Sequence, residues 1–456
     1  MSQSNGPAPT AQASSARWVI LALTCAGLFG QFYAFDIPSA LNEQLRLRMA
    51  DKAGTTHEEY TYYFNLLYSV YSVPNIFLPL VLGIAVDRCG CRVLICVLGL
   101  CVVMGQAMVA WGVREANWNM MLAGRVVFGI GGESMQVAQN CLLFRWFKGK
   151  EVALALGLNL SVARAGSVLN DVLSPWVART EGCEGAMWLG FALCLSACAC
   201  NMWSVRIDKS EGERLGLKED GSDEIVSLAD VLKMPRLFWL LVALCVSLYC
   251  CILPFNNIAS AFFISTFYSG MSLADAQMAA GSAMSLLFLC SAVGTPPFGG
   301  VVDYVGLRTR FLMISSVLAC LCYSTIFIAP PMVSMLILGV VYTCFAGALW
   351  PAFALVVPQE QLGTAYGIAT SLQNAGLAVV PMIVGYLQVR DGRGQFGGVV
   401  RLFLLFGILS TIISAAIFQE NRASKKALDL PSSEAEVFVP EEAMPFGKVK
   451  GPIAVY

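Results

Sequence analysis

Four ionisable side chains, Asp36, Arg125, Glu133 and Arg164, stand inside long apolar runs of a chain that is 57% hydrophobic and 13% charged. A charge at the centre of a bilayer costs about 3 kcal/mol on insertion scales, so it faces a protein interior or water. Glu133 and Arg164 are opposite in sign. A carboxylate accepts from an ammonium, and a guanidinium donates two parallel hydrogen bonds to a carboxylate. Together they suit a ligand that carries both charges at its two ends. The other reading is an ion pair that ties two helices, which brings little stability because desolvation cancels much of the attraction. The roles are compatible if the pair closes an empty site.

The midpoint between Glu133 and Arg164 falls on the short turn Lys148-Gly149. Two antiparallel helices joined there place both residues at equal depth, roughly 18 Å at 1.5 Å rise per residue. That is close to the midplane of a ~30 Å hydrocarbon core. Arg125 lies about two helical turns from Glu133, in the glycine-rich run Gly124 to Gly132. Close helix contact there makes a structural or gating role for Arg125 at least as fitting as ligand contact. Asp36 belongs with the gating residues.

These residues need a frame of spanning helices. The mean hydropathy is +0.67, and a spanning helix needs about 20 mostly apolar residues. Such runs number twelve between residues 17 and 419. The expected fold is an all-α membrane bundle of two pseudo-symmetric six-helix halves, 17–206 and 236–419. An N-terminal tail 1–16, a central loop 207–235 and a C-terminal tail 420–456 complete it. No cleavable signal peptide is expected, because the first apolar run is long and begins the first span. Arg17, Arg88, Arg92, Arg145, Lys148, Lys150, Arg308, Arg310, Lys425 and Lys426 collect on one side. By the positive-inside rule both tails and the central loop are cytoplasmic.

Several chemistries are disfavoured. The net charge of −1 points to no nucleic acid. The seventeen cysteines are scattered through spans rather than arranged as a disulfide framework. Cys89 and Cys91 lack further ligands for a metal, and His57 reads as a solvated loop residue. Hydrolase triads, phosphate loops and paired-carboxylate sites are absent, so neither an enzyme nor a cofactor is expected.

The two halves repeat one another. Gly83-Ile-Ala-Val-Asp87-Arg88-Cys-Gly90-Cys-Arg92 returns as Gly299-Gly-Val-Val-Asp303-Tyr-Val-Gly306-Leu-Arg308, 216 residues later. Gly157 to Gly166 likewise matches Gly367 to Gly376 at an offset of 210, with Arg164 opposite Asn374. Asn374, with Gln373 beside it, then occupies the matching wall of a cavity between the halves. Trp350, followed by Pro351, needs a partner for its indole N–H there. One wall is charged and the other neutral-polar.

The repeated acidic-basic turn resembles the loop signature of the major facilitator superfamily. Longer runs are more selective: Gly124-Arg-Val-Val-Phe-Gly-Ile-Gly-Gly-Glu-Ser134, Val137-Ala-Gln-Asn140, Trp146-Phe-Lys-Gly-Lys-Glu151 and Pro358-Gln-Glu-Gln-Leu-Gly-Thr-Ala-Tyr-Gly367. They resemble the lysosomal dipeptide transporter branch, and the likeness runs from Tyr33 to the end of the twelfth span. The resemblance implies dipeptide uniport out of lysosomes, with Glu133 and Arg164 in the binding site. It also implies a heavily glycosylated single-span accessory partner. In the superfamily the acid matching Asp87 latches the halves, which makes Asp87, Arg88, Arg92, Asp303 and Arg308 conformational residues. The first helix has no Glu-x-x-Glu-Arg run of the kind found in proton-coupled oligopeptide transporters. Residues 1–16 hold no Leu, hence no dileucine sorting signal, leaving the lysosome, another endomembrane and the plasma membrane as destinations. Two rivals stand beside this reading: a carrier of another zwitterion or organic anion, and a non-transporting receptor on the same fold.

Overall fold

The computed structural model describes residues 15–147, 150–215, 234–357, 361–423 and 427–431, without the side chains of 80, 82–89, 150, 152–153 and 427. Among them the regular structure is helical. The helices are α1 (Ala16–Ala40), α2 (Asn42–Ala53), α3 (His57–Ser72), α4 (Pro74–Arg114), α5 (Trp118–Trp146) and α6 (Lys150–Arg214) in the first half. The second half holds α7 (Arg236–Thr266), α8 (Leu273–Val305), α9 (Arg308–Thr325), α10 (Pro331–Ala354), α11 (Leu362–Asp391) and α12 (Gly397–Ala423).

Two of these helices cross twice. α4 breaks at Gly90 (φ 77°, ψ 149°) and α6 at Gly182 (φ 70°, ψ 178°). A left-handed φ is open to glycine at little cost, which explains the glycine of the repeated loop; its second copy, Gly306, has φ 72°. α3 and the start of α4 form one crossing interrupted at Pro74, so α2 lies outside the twelve passes. Eight helices or helix segments are long and apolar enough to span by composition alone. The others fall short for visible reasons: Pro74 divides one crossing, α5 carries Arg125 and Glu133, and α9 has 18 residues beginning with Arg308.

We call the face where the chain enters α1 the tail side, and the face carrying α2 the loop side. On the tail side each half ties its repeated turn to an acid near or beyond the end of its last helix, Asp208 in the last turns of α6 and Asp429 past the end of α12. Asp208 is fully buried and accepts from Arg92 Nε (2.6 Å), Arg145 Nη1 (2.8 Å) and Trp146 Nε1 (2.7 Å). In the second half Asp429 accepts from the Thr309 backbone N–H (3.1 Å) and from its hydroxyl (2.7 Å). Arg308 there donates to Asp303 (3.1 Å) and to the Leu430 carbonyl (3.0 Å). Removing one partner of a buried charge cluster costs about 3 kcal/mol. Asp208→Asn should therefore lower the melting temperature of the purified protein by several degrees; an unchanged transition would show that the cluster contributes nothing.

Between described residues, the hydrogen bonds and ion pairs that join the halves lie at mid-depth or on the loop side. Asn65 on α3 donates to Gln388 on α11 at 3.1 Å, and Arg179 on α6 meets Asp275 on α8 at 3.4 Å. Glu43 on α2 lies 4.0 Å from Arg393. A cavity of about 240 Å³ opens between these segments, lined in part by Glu43, Arg46, His57 and Asn65. The structure is thus closed on its loop side.

Candidate functional site

Asn159 on α6 donates to Gln139 on α5 at 3.2 Å. Glu133 and Arg164 lie about equally far along their helices from this link and so share a depth, but they are not an ion pair. The antiparallel helices α5 and α6 follow one another in the chain and yet are poor neighbours: α5 packs along α4 and α3, while α6 packs along α1 and α8. The alternative reading, an ion pair that ties two helices, fails for this reason. Glu133 is half-buried on α5 and stands near Tyr71 of α3. Among the described residues its carboxylate makes no hydrogen bond or ion pair, and the side chain is only partly buried.

Arg164 turns the other way, into the second half. Its Nη1 donates to Ser291 Oγ and, at 2.9 Å, to Thr295 Oγ1 on α8. Thr295 precedes Pro296-Pro297, where proline cannot continue the ladder of backbone bonds. The guanidinium lies over the Tyr342 ring of α10, 4.6 Å from its centre, a cation–π contact. Nε and Nη2 make no hydrogen bond and are not enclosed. They form the edge of the guanidinium that grips a carboxylate with two parallel bonds.

The neutral wall is built as follows. Trp350 Nε1 donates to Tyr249 Oη at 3.0 Å, so the indole has the partner it needs. Tyr249 packs against Tyr342 with ring centres 6.0 Å apart, and Trp350 against Tyr366 at 5.8 Å. Arg164 and Trp350 therefore meet one aromatic cluster. Asn374 is fully buried, donates to Thr370 of its own helix at 3.0 Å, and leaves its Oδ1 without a partner. Gln373 faces α7 instead, where Cys245 Sγ contacts its Oε1 at 3.7 Å.

Arg125 is pinned within the first half. It donates to the Phe35 carbonyl at 2.8 Å and stacks on Phe35 and Tyr68, each 5.3 Å away. Asp36 lies nearby, 2% exposed. Arg92 and Arg308 are bound inside their own halves, as described above. The side chains of Asp87 and Arg88 lie outside the described residues.

The chain matches the family model described as Major Facilitator Superfamily over residues 19–381 and 250–452. It belongs to the major facilitator superfamily. Its relatives within that superfamily include vertebrate proteins named "Lysosomal dipeptide transporter MFSD1". The Bos taurus protein is 35% identical over 436 residues, covering 92% of this chain and 89% of the relative. The Danio rerio protein is 36% identical over 392 residues, covering 83% and 81%. The Homo sapiens protein is 34% identical over 438 residues, covering 92% and 90%. The superfamily fold explains why the halves meet around the Arg164 region, since such transporters bind substrate near the midplane between their repeats.

Several residues of this site were missed by sequence reasoning. Ser291 and Thr295 are single hydroxyls in an apolar run, which carry no charge to mark them. Tyr249 and Tyr342 read as ordinary aromatic core. Outside this site, Asp171 had a detectable signal, an acid inside the span that starts at residue 151, and was overlooked beside Arg164.

Proposed function

We propose that this protein is a dipeptide facilitator of lysosomal membranes, working by alternating access without an ion gradient. What supports the reading is a pair of opposite charges at one depth, Glu133 and the Nε/Nη2 edge of Arg164, that make no hydrogen bond or ion pair among the described residues. A zwitterionic dipeptide supplies an ammonium for the first and a carboxylate for the second. Hydroxyls hold Arg164 in place through Nη1 alone, so the fork is oriented before the ligand arrives. The names of its relatives support the substrate class. With tails on the cytosolic side, the loop-side-closed form is the one that releases substrate to the cytosol.

Dipeptide side chains then project toward Tyr342, Tyr249 and Trp350 and are discriminated weakly, by methylene-sized energies. Trp350, Asn374 and Gln373 line or support the neutral wall in this reading. A competition panel in proteoliposomes tests it. Dipeptides with both termini free should compete broadly, whereas N-acetylated and C-amidated forms should compete poorly. Equal competition by blocked forms would remove the zwitterion from the account. The reading extends to a glycosylated single-span accessory subunit, on the strength of the family resemblance alone.

Asp87 is assigned to a latch that favours the loop-side-open form, through a helix N-terminus worth typically 0.3–1 kcal/mol. Asp87→Asn should shift the population toward the loop-side-closed form and slow transport, with dipeptide affinity retained. Cysteine accessibility from each side measures this. Unchanged accessibility with normal flux would mean that Asp87 is no latch.

A further inference from the structure

The first half holds a second group of buried charges that dipeptide binding does not use. Asp171 on α6 is fully buried; one carboxylate oxygen accepts from the Asn170 amide at 3.3 Å and the other has no partner. Asp36 on α1, which packs along α6, stands at the same height, because Gly166, five residues before Asp171, packs on the backbone of Phe29 and Tyr33. From α5, Arg125 stands near Asp36 but gives its hydrogen bond to the Phe35 carbonyl, leaving Nε and Nη1 unpartnered. From α3, the buried Tyr68 hydroxyl has no partner among the described residues, its ring lies 5.3 Å from the Arg125 guanidinium, and Tyr71 packs on Phe35 beside it. Ser167 Oγ, one turn before Asp171 on α6, is fully buried and has no partner among the described residues. Tyr33 on α1 is occupied by the Ser174 hydroxyl at 3.0 Å.

The second half closes this group off. Gly281 of α8 packs on the Asp171 carbonyl, with no space for a side chain. One turn earlier, Gln277 is fully buried with both amide atoms unpartnered. The charge that α8 brings to this end is Asp275, already paired with the exposed Arg179. Asp36 and Asp171 thus share the single cation Arg125, and between these described residues there is no ion pair. Fully ionised, the group carries one uncompensated negative charge in a water-poor interior, which is costly.

We propose that Asp36 and Asp171 together hold one proton while the loop side is closed, and release it to the loop-side compartment when that side opens. Opening lifts α8 from α6 and lets water reach Asp171, which then ionises freely. A proton fits better than a metal ion, because Arg125 repels a cation. The closed form binds one proton more than the open form, so acid on the loop side favours closure, by at most about tenfold per pH unit. Since the proton enters and leaves on the same side, it gates the cycle without being carried across.

The test is double electron–electron resonance on the full chain in nanodiscs, with no substrate added, so its outcome is independent of the solute carried. Spin labels replace Asp51 and Ser269, exposed loop-side residues of different halves, in a background lacking reactive native thiols. His57→Gln is included in that background. Burial and the nearby Arg46 and Arg393 hold the His57 pKa below its ordinary value, so its protonation on acidification opposes closure. Between about pH 7.5 and pH 5 the open-to-closed ratio should fall tenfold or more. Asp171→Asn and Asp36→Asn should each give the short distance at both pH values. A parent protein whose distances ignore pH would overturn the proposal, as would Asn variants that keep the parental slope, or a shift driven by sodium at constant pH. If Asp171→Asn fails to fold, the parent and Asp36→Asn decide.

Discussion

Arg164→Lys should lose most dipeptide transport although the charge is kept. The loss follows from geometry. In the native protein Nη1 is anchored on Ser291 and Thr295, the ring of Tyr342 supports the guanidinium plane, and the Nε/Nη2 edge stays open. A lysine ammonium is a point charge: held by the α8 hydroxyls, it has no second, coplanar pair of donors to offer a carboxylate. The loss of one charge-assisted hydrogen bond costs about 2 kcal/mol, or roughly a 30-fold fall in apparent affinity. Uptake of a radiolabelled dipeptide, normalised to protein at the surface of the vesicle, measures it. Near-normal uptake by the lysine variant would take Arg164 out of the binding site.

Glu133→Gln should act on the other end of the ligand and only there. Gln keeps the size and the acceptor oxygen but not the charge that an ammonium needs, a difference of about 1.5–3 kcal/mol for a hydrogen bond with an ionised partner. Free-amine dipeptides should weaken by roughly ten- to hundredfold, while the weak binding of N-acetylated dipeptides stays where it was. The ratio of the two inhibition constants is the quantity to follow, because a general loss of folding or of conformational balance changes both alike. Equal losses for both ligands would return Glu133 to a structural role beside Tyr71.

The architecture was legible in the sequence because bilayer physics leaves so few options. Long apolar runs must be helices, and a repeated Gly-Asp-Gly-Arg turn marks where the halves correspond. The positive φ of Gly90 and Gly306 is the local reason that this turn recurs. Depth was legible too, since rise per residue converts position into height. Azimuth was not. Whether Glu133 and Arg164 face one another depends on which helices are neighbours, and α5 turns to α4 while α6 turns to α1 and α8. Contacts from the second half were hidden for a related reason: Ser291, Thr295 and Tyr342 look like filler in apolar runs until an arginine from the other half arrives. Asp171 was visible as an intramembrane acid. Its meaning depends on Asp36, 135 positions earlier, and on Gly281 closing over it.

Counterflow in proteoliposomes tests the central claim most directly. Vesicles containing the purified chain are preloaded with an unlabelled dipeptide of free termini and diluted into a trace of labelled dipeptide. The account predicts transient accumulation of label that saturates with substrate, is abolished by Arg164→Lys, and reaches the same peak with and without an imposed proton gradient of constant loop-side pH. Saturable binding with no flux would contradict it and point to a receptor. Accumulation that follows the proton gradient would also contradict it, by making the protein a coupled carrier.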